Sequence, residues 1–193
     1  MTTPRAAFVL GPADGGRPVT AEEFAEAEFE GPWRYEREGG ALLVMSPEGQ
    51  RHHDDSRPWR RALNRFWIEH PEVVEDVVQG AWIRVDGGTD RLGDIAVYRV
   101  SAHPVPPIPD RVPDLVFEIV SPDRDSRGRD YVIKPREYRR LGVREHVVID
   151  RFRKRVTVFE HAAKGDRKRV LRPGDIYTTP LLPGLEIVLD EVF

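Results

Sequence analysis

Two carboxylates interrupt otherwise apolar, strand-like segments of the sequence. Asp94 opens the segment 94–98 (Asp-Ile-Ala-Val-Tyr), and Glu118 lies inside the apolar run Leu115–Val120. An ionised carboxylate inside a sheet costs several kcal/mol unless it is paired or binds a metal ion. If the two segments form neighbouring strands, the side chains converge, and two oxygen ligands with room for water suit Mg²⁺. A salt bridge to an arginine explains Glu118 alone equally well, and a turn role at the start of a strand explains Asp94 alone.

Lysine is rare in this sequence, which draws attention to one of its lysines. Four of the 30 Lys and Arg residues are lysines, and 26 are arginines. Lys134 stands outside the surface-like stretch 154–168 that holds the other three, and it follows Glu118 by 16 residues. An ammonium close to a metal-bound water holds the nucleophile and offsets the charge that builds on a phosphoryl group. The alternative for Lys134 is a solvated lysine on a helix surface.

Three clusters of basic residues, within 57–65, 136–140 and 151–155, could contact the phosphates of a nucleic acid. A solvated helix or turn surface is the alternative for each cluster. His52 and His53 do not by themselves indicate a zinc site, because the sequence has no cysteine and no partner histidine at ligand spacing. A G-x-G-x-x-G turn and a P-loop are also missing, so the sequence gives no support to a nucleotide cofactor.

The composition predicts one globular domain. The chain has 193 residues, of which 39% are hydrophobic and 33% charged, and its formal net charge is −3. A nucleic-acid partner would therefore have to be bound by a local basic patch. The lack of cysteine excludes disulfides and favours a cytoplasmic location. No apolar run approaches the roughly 20 residues of a membrane span, and the N-terminus shows no signal-peptide pattern, so we expect no membrane partner.

The pattern of the chain predicts a mixed sheet with a few helices. Residues 1–18 are expected to form a flexible leader, and residues 19–193 a single domain. The predicted elements are helices over Thr20–Glu28, Trp59–Glu69 and Asp130–Leu141, a hairpin from Tyr35 to Met45, short strands over Val73–Val78, Ala81–Val85, Asp94–Val100 and Leu115–Val120, and further strands after His146. Pro58 is expected in the first turn of the second helix. The fold class is α/β, of the mixed-sheet (α+β) kind, with a central mixed sheet flanked by helices.

An ordered series of short motifs resembles a known family. The motifs are Tyr35-Glu36, Gly40, Met45-Ser46-Pro47, His52, Asp94, the segment 113–122 (Pro-Asp-Leu-Val-Phe-Glu-Ile-Val-Ser-Pro), Asp130, Lys134, Tyr138, Gly142-Val143-Arg144-Glu145, Val148-Ile149-Asp150 and the late Leu182-Pro183-Gly184-Leu185. Together they resemble the family named "putative restriction endonuclease", a bacterial branch of the PD-(D/E)XK nuclease superfamily. Each motif is weak alone, but the series is specific and runs from about Thr20 to the C-terminus.

The resemblance implies a restriction-endonuclease-like fold that cuts phosphodiester bonds, in DNA by expectation, with Mg²⁺ or with Mn²⁺ as a substitute. It assigns the metal ligands to Asp94 and Glu118. The lysine that normally follows the acidic residue by two positions is replaced by Val120, and Lys134 matches the family's relocated lysine. Glu36 and His52 match further catalytic or site-lining positions. A homodimer is expected by analogy, since cutting both strands often needs two sites.

The departures from the family pattern leave other functions open. Gly93 replaces the usual proline before Asp94, and Pro135 directly follows Lys134, where it disfavours a helical conformation of the lysine. A catalytically inactive nucleic-acid-binding or assembly module that keeps the fold is one alternative. A metal-dependent hydrolase of another substrate is a second alternative. The nuclease hypothesis predicts that Asp94 and Glu118 share one solvent-open pocket with the Lys134 amine, with Glu36 or His52 at its rim.

Overall fold

A mixed sheet of eight strands forms the centre of the protein. The structure, a computed structural model, describes residues 8–122, 127–162 and 165–193. The helices are α1 (Ala21–Glu26), α2 (Gln50–Glu69) and α3 (Lys134–Leu141). The strands are β1 (Val9–Leu10), β2 (Glu28–Phe29), β3 (Arg34–Glu38), β4 (Ala41–Met45), β5 (Val74–Asp86), β6 (Thr89–Arg99), β7 (Leu115–Ile119), β8 (Glu145–Asp150), β9 (Arg155–Glu160), β10 (Arg167–Leu171), β11 (Ile176–Tyr177) and β12 (Ile187–Val188).

The sheet divides along one side of β6. The strand order is β10-β9-β8-β7-β6-β3-β4, and β5 pairs with the opposite side of β6 along nearly its whole length. Strand β3 pairs with β6 at Asp90, whereas β7 pairs with it from Ile95 onward. Residues 91–94 of β6 therefore have no ladder partner on that side in the described part of the chain. We call residues 91–94, with the facing parts of β3 and β7, the fork.

Helices cover both faces of the sheet, which explains the continuous apolar run of β7. Successive side chains of a strand point to opposite faces. Phe117 packs with Trp59 of α2 on one face, while Val116 packs with Tyr138 of α3 on the other. Glu118 follows the alternation of Val116 and so points to the α3 face. Burial on both faces is typical of a strand at the centre of a sheet.

Most predicted elements are present. Thr20 caps α1 by accepting a hydrogen bond from the Glu23 amide, and α3 ends at Gly142 with a left-handed φ of 102°. The β3–β4 hairpin and strand β7 also agree with the prediction. The mixed sheet flanked by helices is therefore confirmed.

The predicted start of the second helix is wrong. Helix α2 begins at Gln50, and Pro58 lies inside it. A proline ring inside a helix disturbs the hydrogen bonds of the preceding turn. Here the Ser56 hydroxyl donates to the His53 carbonyl oxygen at 3.0 Å, and Arg60 donates to the same oxygen at 3.3 Å. Both side chains therefore bond the helix backbone one residue before Asp54, whose carbonyl oxygen lacks the amide donor that Pro58 cannot supply. None of the described helices is both long and apolar enough to cross a membrane.

Two further predicted boundaries differ from the structure. The two short strands predicted on either side of Gly80 form one strand, β5, because Gly80 adopts a positive φ of 62° without ending the pairing with β6. Residues 1–7 of the predicted leader lie outside the described residues. Residues 8–18 pack against the domain instead of leading away from it: β1 pairs in parallel with β2, and Leu10 is fully buried.

His146 on β8 is a buried histidine whose ring nitrogens have no hydrogen-bond partner among the described residues. Its ring lies between Tyr138 and Phe159. Burial lowers the pKa of His146 well below its ordinary value, and the charges of Lys134 and His161 lower it further. The unfolded chain therefore binds a proton below about pH 6.5 that the native chain does not bind.

We predict that His146→Phe makes the protein less sensitive to acid. Relative to the parent, the free energy of unfolding of the variant should rise by up to about 1.4 kcal/mol for each pH unit below about 6.5. Urea denaturation between neutral and mildly acidic pH measures the effect. His103→Phe, at an exposed loop position, is the control and should leave the profile unchanged. A parallel pH profile for the parent and His146→Phe would contradict the prediction.

Candidate active site at the sheet fork

Three acidic side chains, one from each strand, meet at the fork. Glu36 comes from β3, Asp94 from β6 and Glu118 from β7. The register that pairs residue 96 with residue 116 would place Asp94 opposite Glu118 one step further along. The sequence expectation that these two carboxylates come from adjacent strands therefore agrees with the structure.

Two of these carboxylates accept backbone hydrogen bonds within the fork. An Asp94 oxygen accepts from the Ile119 amide at 2.7 Å, and a Glu36 oxygen accepts from the Leu92 amide at 3.1 Å. A buried backbone N–H without a partner is costly. The carboxylates thus satisfy donors in the region where the strands diverge, and the same bonds fix the positions of the acids.

Lys134 places its ammonium among the acids. Its Nζ lies 2.9 Å from a Glu118 oxygen, 3.5 Å from Asp130 and 3.8 Å from Glu36. The lysine is 4% exposed, so the ammonium is almost entirely removed from water. The Tyr138 hydroxyl donates to the other Glu118 oxygen at 2.8 Å. Both Glu118 oxygens therefore have a fixed partner.

One lysine does not neutralise all of these carboxylates. Burial and the negative charge of Asp94 together raise the pKa of Glu118 to about 8. Their combined effect outweighs the attraction of Lys134, which lowers this pKa. Burial likewise raises the pKa of Asp130 to about 6. The surrounding carboxylates hold the pKa of Lys134 above its ordinary value despite its burial. The fork is therefore a buried cluster in which desolvation keeps the carboxyl groups of Glu118 and Asp130 closer to their protonated forms than in water.

The turn before α3 allows Lys134 to reach the fork despite Pro135. Residues Arg129–Ile133 form a π-helical turn, in which the Lys134 amide donates to the carbonyl oxygen of Arg129. Lys134 itself is helical, with φ −56° and ψ −40°. Pro135 lies in the first turn of α3, where a missing amide donor is tolerated. The conformational doubt that Pro135 raised at the sequence level does not apply to this structure.

Asp94 also faces a second group of partners, from β3 and α2. Arg34 Nη2 donates to one Asp94 oxygen at 2.8 Å, and His52 Nε2 lies 3.2 Å from the other. Glu48 lies 3.2 Å from Arg34 and 3.1 Å from His52. Ligand atoms of Glu48, His52 and Asp94 all lie within 4.8 Å of one another, a spacing that a metal ion could bridge.

The charges of this second group are tightly linked. Although burial opposes the charged form, hydrogen bonding to Asp94 and Glu48 raises the pKa of His52 to about 10. In the same way, the hydrogen bond from His52 and the charge of Arg34 overcome desolvation and hold the pKa of Asp94 well below its usual range. Asp94 is therefore an anion whose charge is balanced by internal cations.

A solvent-filled cleft of about 520 Å³ lies next to the fork. We call it the arginine cleft; its charged lining residues are Arg34, Arg51, His52, Arg129, Arg151, Glu48 and Asp55. Asp94, Glu118 and Lys134 do not line it, since Arg34 and His52 form the wall in front of Asp94. This differs from the expectation that the carboxylates open directly to solvent. His52 lies at the wall as expected, whereas Glu36 is buried and held by Arg91 at 3.1 Å.

The sequence analysis assigned no site role to three residues that complete the site. Arg34 and Glu48 bind the Asp94 group, and Asp130 binds Lys134. Asp130 precedes Lys134 by four residues, a spacing that brings side chains together on a helix, so the sequence contained a signal for Asp130. Glu48 lies before the start of α2 at Gln50, and the role of Arg34 depends on how β3 meets β6, so neither contact follows from a local pattern.

Comparison with known proteins places this chain in a family. A family model described as "Putative restriction endonuclease" (Uma2) matches residues 21–190. The chain belongs to the Uma2 family. This confirms the resemblance found in the sequence motifs. None of the curated proteins compared with this Uma2 chain matches it.

A solved structure shares the fold of this Uma2 protein. It is the crystal structure of a "putative nuclease belonging to DUF820" from Anabaena variabilis, with a TM-score of 0.71 and 17% sequence identity. The match covers 91% of this chain and 98% of that chain. At this identity the likeness shows the fold, which is that of a restriction-endonuclease-like domain.

Gly93, which replaces the proline usual before the aspartate, has a packing reason in this Uma2 protein. A Cβ at Gly93 would lie 3.2 Å from the Ile83 and Val116 side chains. These contacts are tighter than ordinary packing, so a side chain at this position would make the Ile83 and Val116 side chains shift by a few tenths of an ångström.

We predict that Lys134→Met destabilises the protein strongly at neutral pH. Three buried carboxylates would lose their shared counter-charge, and breaking a buried pair in this way costs about 3–5 kcal/mol. The loss of stability should become smaller as the pH falls, because protonated carboxyl groups no longer require the ammonium as a counter-charge. Urea denaturation at several pH values measures both effects. Lys154→Met, at an exposed turn position, should change stability by less than about 0.5 kcal/mol. Equal effects of the two substitutions would rule out a structural role for the ammonium.

Proposed function

We propose that this protein is a metal-dependent endonuclease that hydrolyses phosphodiester bonds in DNA. The observation that carries the proposal is the meeting of Asp94, Glu118 and Lys134 at the fork, beside a cleft lined by arginines. The family match over residues 21–190 supports a nuclease of the restriction-endonuclease type. Metal dependence and DNA as the substrate are our inference from the chemistry of these residues.

The donor set at the fork suits a hard divalent cation. Asp94 and Glu118 would hold Mg²⁺, for which Mn²⁺ could substitute, and Glu48 and His52 lie close enough to Asp94 to add ligands. Burial, with a smaller contribution from the charge of Asp94, raises the pKa of Glu118, and a cation bound at the fork would favour its ionised form. A bound ion of this kind would supply an activated water and polarise the scissile phosphate.

The other residues of the fork would position the reacting groups. Lys134 would hold the attacking water and offset the charge that develops on the phosphoryl oxygens. Tyr138 would orient Glu118 through its hydrogen bond, and Glu36 would hold the Lys134 ammonium in place. His52 lies on the wall of the cleft and contacts Asp94, so it would stand between Asp94 and a substrate bound in the cleft.

One observation favours the alternative of an inactive nucleic-acid-binding module. Both Asp94 oxygens already accept hydrogen bonds, from Arg34, His52 and the Ile119 amide. A metal ion would have to displace some of these partners before it could bind. Measurements of metal binding and of cleavage therefore distinguish the nuclease from the inactive nucleic-acid-binding module.

We predict that the purified protein cleaves DNA with Mg²⁺ or Mn²⁺ and loses this activity with a chelator. Asp94→Asn and Glu118→Gln should each abolish cleavage, because one remaining carboxylate holds Mg²⁺ poorly. Lys134→Gln should lower the cleavage rate by roughly 10²–10³-fold, as expected for loss of a group that stabilises developing charge. A gel assay on supercoiled plasmid measures cleavage, and titration calorimetry measures Mn²⁺ binding.

Glu72→Gln, at an exposed position away from the fork, is the matched control and should cleave like the parent. Urea denaturation of each variant checks that it is folded at the assay temperature. DNA affinity of the carboxylate variants should be equal to or higher than that of the parent, because negative charge near the phosphates is removed. If all three variants cleaved at the parental rate, the activity would not depend on Asp94, Glu118 or Lys134, and the proposal would be wrong. Retained DNA binding without any metal-dependent cleavage would favour the inactive module.

A further inference from the structure

The arginine cleft is basic although the chain as a whole is acidic. Its lining includes four arginines and two acidic residues, whereas the chain has a formal net charge of −3. Concentrated charge of one sign in a concave surface attracts ligands of the opposite sign. The cleft is therefore suited to an anionic ligand.

Two arginines of the cleft, Arg51 and Arg151, differ in their contacts with the rest of the protein. Arg51, in the first turns of α2, is exposed and forms no ion pair within the described parts of the chain. Arg151, in the turn between β8 and β9, is held against α2 by an ion pair with Asp55 at 2.7 Å. One arginine is thus available to an incoming phosphate, and the other is fixed in position before the ligand arrives.

An exposed aromatic ring stands next to the fixed arginine. Phe152 is 42% exposed, and the Arg151 guanidinium carbon lies 4.2 Å from its ring centroid. Arg127 lies over the same ring at 4.7 Å. Aromatic rings and guanidinium planes are the surfaces on which proteins stack unpaired nucleic-acid bases.

The turn that carries Arg151 and Phe152 is held in place by hydrogen bonds to Asp150. Asp150, which is fully buried, accepts a hydrogen bond from the Arg153 amide at 3.1 Å and from the Tyr131 hydroxyl at 3.0 Å. Tyr131 belongs to the π-helical turn before Lys134, so the turn is tied to the element that positions the lysine. A preformed surface loses less conformational entropy on binding than a mobile loop would.

We propose that the arginine cleft and Phe152 bind an unpaired stretch of DNA, with phosphates on Arg51 and Arg151 and a base packed on the stack that Phe152 forms with the guanidiniums of Arg127 and Arg151. The inference rests on the proposed nuclease function and specifies its substrate. Bases inside a duplex are stacked on one another, so their faces are not available to Phe152. The cleft of about 520 Å³ also has the size of a pocket for a small molecule, which suits one or a few nucleotides better than a duplex.

Fluorescence anisotropy without divalent metal tests the proposal. The probes are a labelled oligothymidylate of about 16 nucleotides, the upper site size of a typical single-strand-binding fold, an abasic strand of equal length and a blunt duplex. Phe152→Ser should weaken binding of the oligothymidylate by roughly 5- to 150-fold, the usual worth of one stacked base. The same substitution should leave binding of the abasic strand and of the duplex nearly unchanged. Phe152→Tyr should bind like the parent.

The cleft arginines are tested by the dependence of affinity on salt. Arg51→Gln should reduce the slope of log affinity against log salt by about 0.7 for the single strand. Arg61→Gln, an exposed arginine on the same helix but outside the cleft, is the control and should leave the slope unchanged. Ile68→Ser, at an exposed apolar residue near Arg61 and Arg65, controls for the loss of apolar surface.

Equal effects of Phe152→Ser on the oligothymidylate and on the abasic strand would overturn the stacking proposal. Tighter binding of the blunt duplex than of the single strand by the parent would also overturn it. Metal-dependent plasmid cleavage in the same preparation shows independently whether the nuclease function holds. An active nuclease with no single-strand preference would refute this inference alone, whereas selective binding without cleavage would refute the nuclease proposal.

Discussion

Burial of several carboxylates at one point of the sheet is the constraint on which the arrangement around it depends. Glu36, Asp94 and Glu118 come from three strands that diverge there, and each is almost removed from water. Such charges are tolerated because donors and cations surround them: two backbone amides, the Lys134 ammonium and the Arg34 and Arg91 guanidiniums. The π-helical turn, the position of α3 and the divergence of β3 from β7 together give these partners access to the acids.

The sequence predicted the parts of the site that depend on local pattern. Carboxylates inside apolar strands and a rare lysine identified Asp94, Glu118 and Lys134 as candidate site residues. The divergence of β3 and β7 along β6 could not be predicted, because it arises from pairing between residues more than 50 positions apart, such as Arg37 and Asp90. For the same reason, the position of Arg34 in front of Asp94 could not be predicted.

Errors in the predicted elements came from treating proline and glycine as ends of elements. Pro58 and Gly80 both lie inside regular structure, since neighbouring groups compensate for them. Side chains of Ser56 and Arg60 donate to the helix backbone near Pro58. Pairing with β6 on both sides of Gly80 keeps β5 continuous. In each case tertiary or side-chain contacts outweigh the local preference, and such contacts are not visible in a short window of sequence.

The hydrogen bond from the Ile119 amide to Asp94 joins the electrostatics of the site to the backbone of the sheet. Strand β7 continues its parallel pairing with β8 through Ile119, so the same residue belongs both to the ladder and to the acid cluster. A change in the charge on Asp94 alters the strength of this bond and hence the local rigidity of β7. The protonation state of Asp94 and the opening rate of the central strand are therefore coupled, and slow amide exchange at Ile119 would accompany an ionised Asp94.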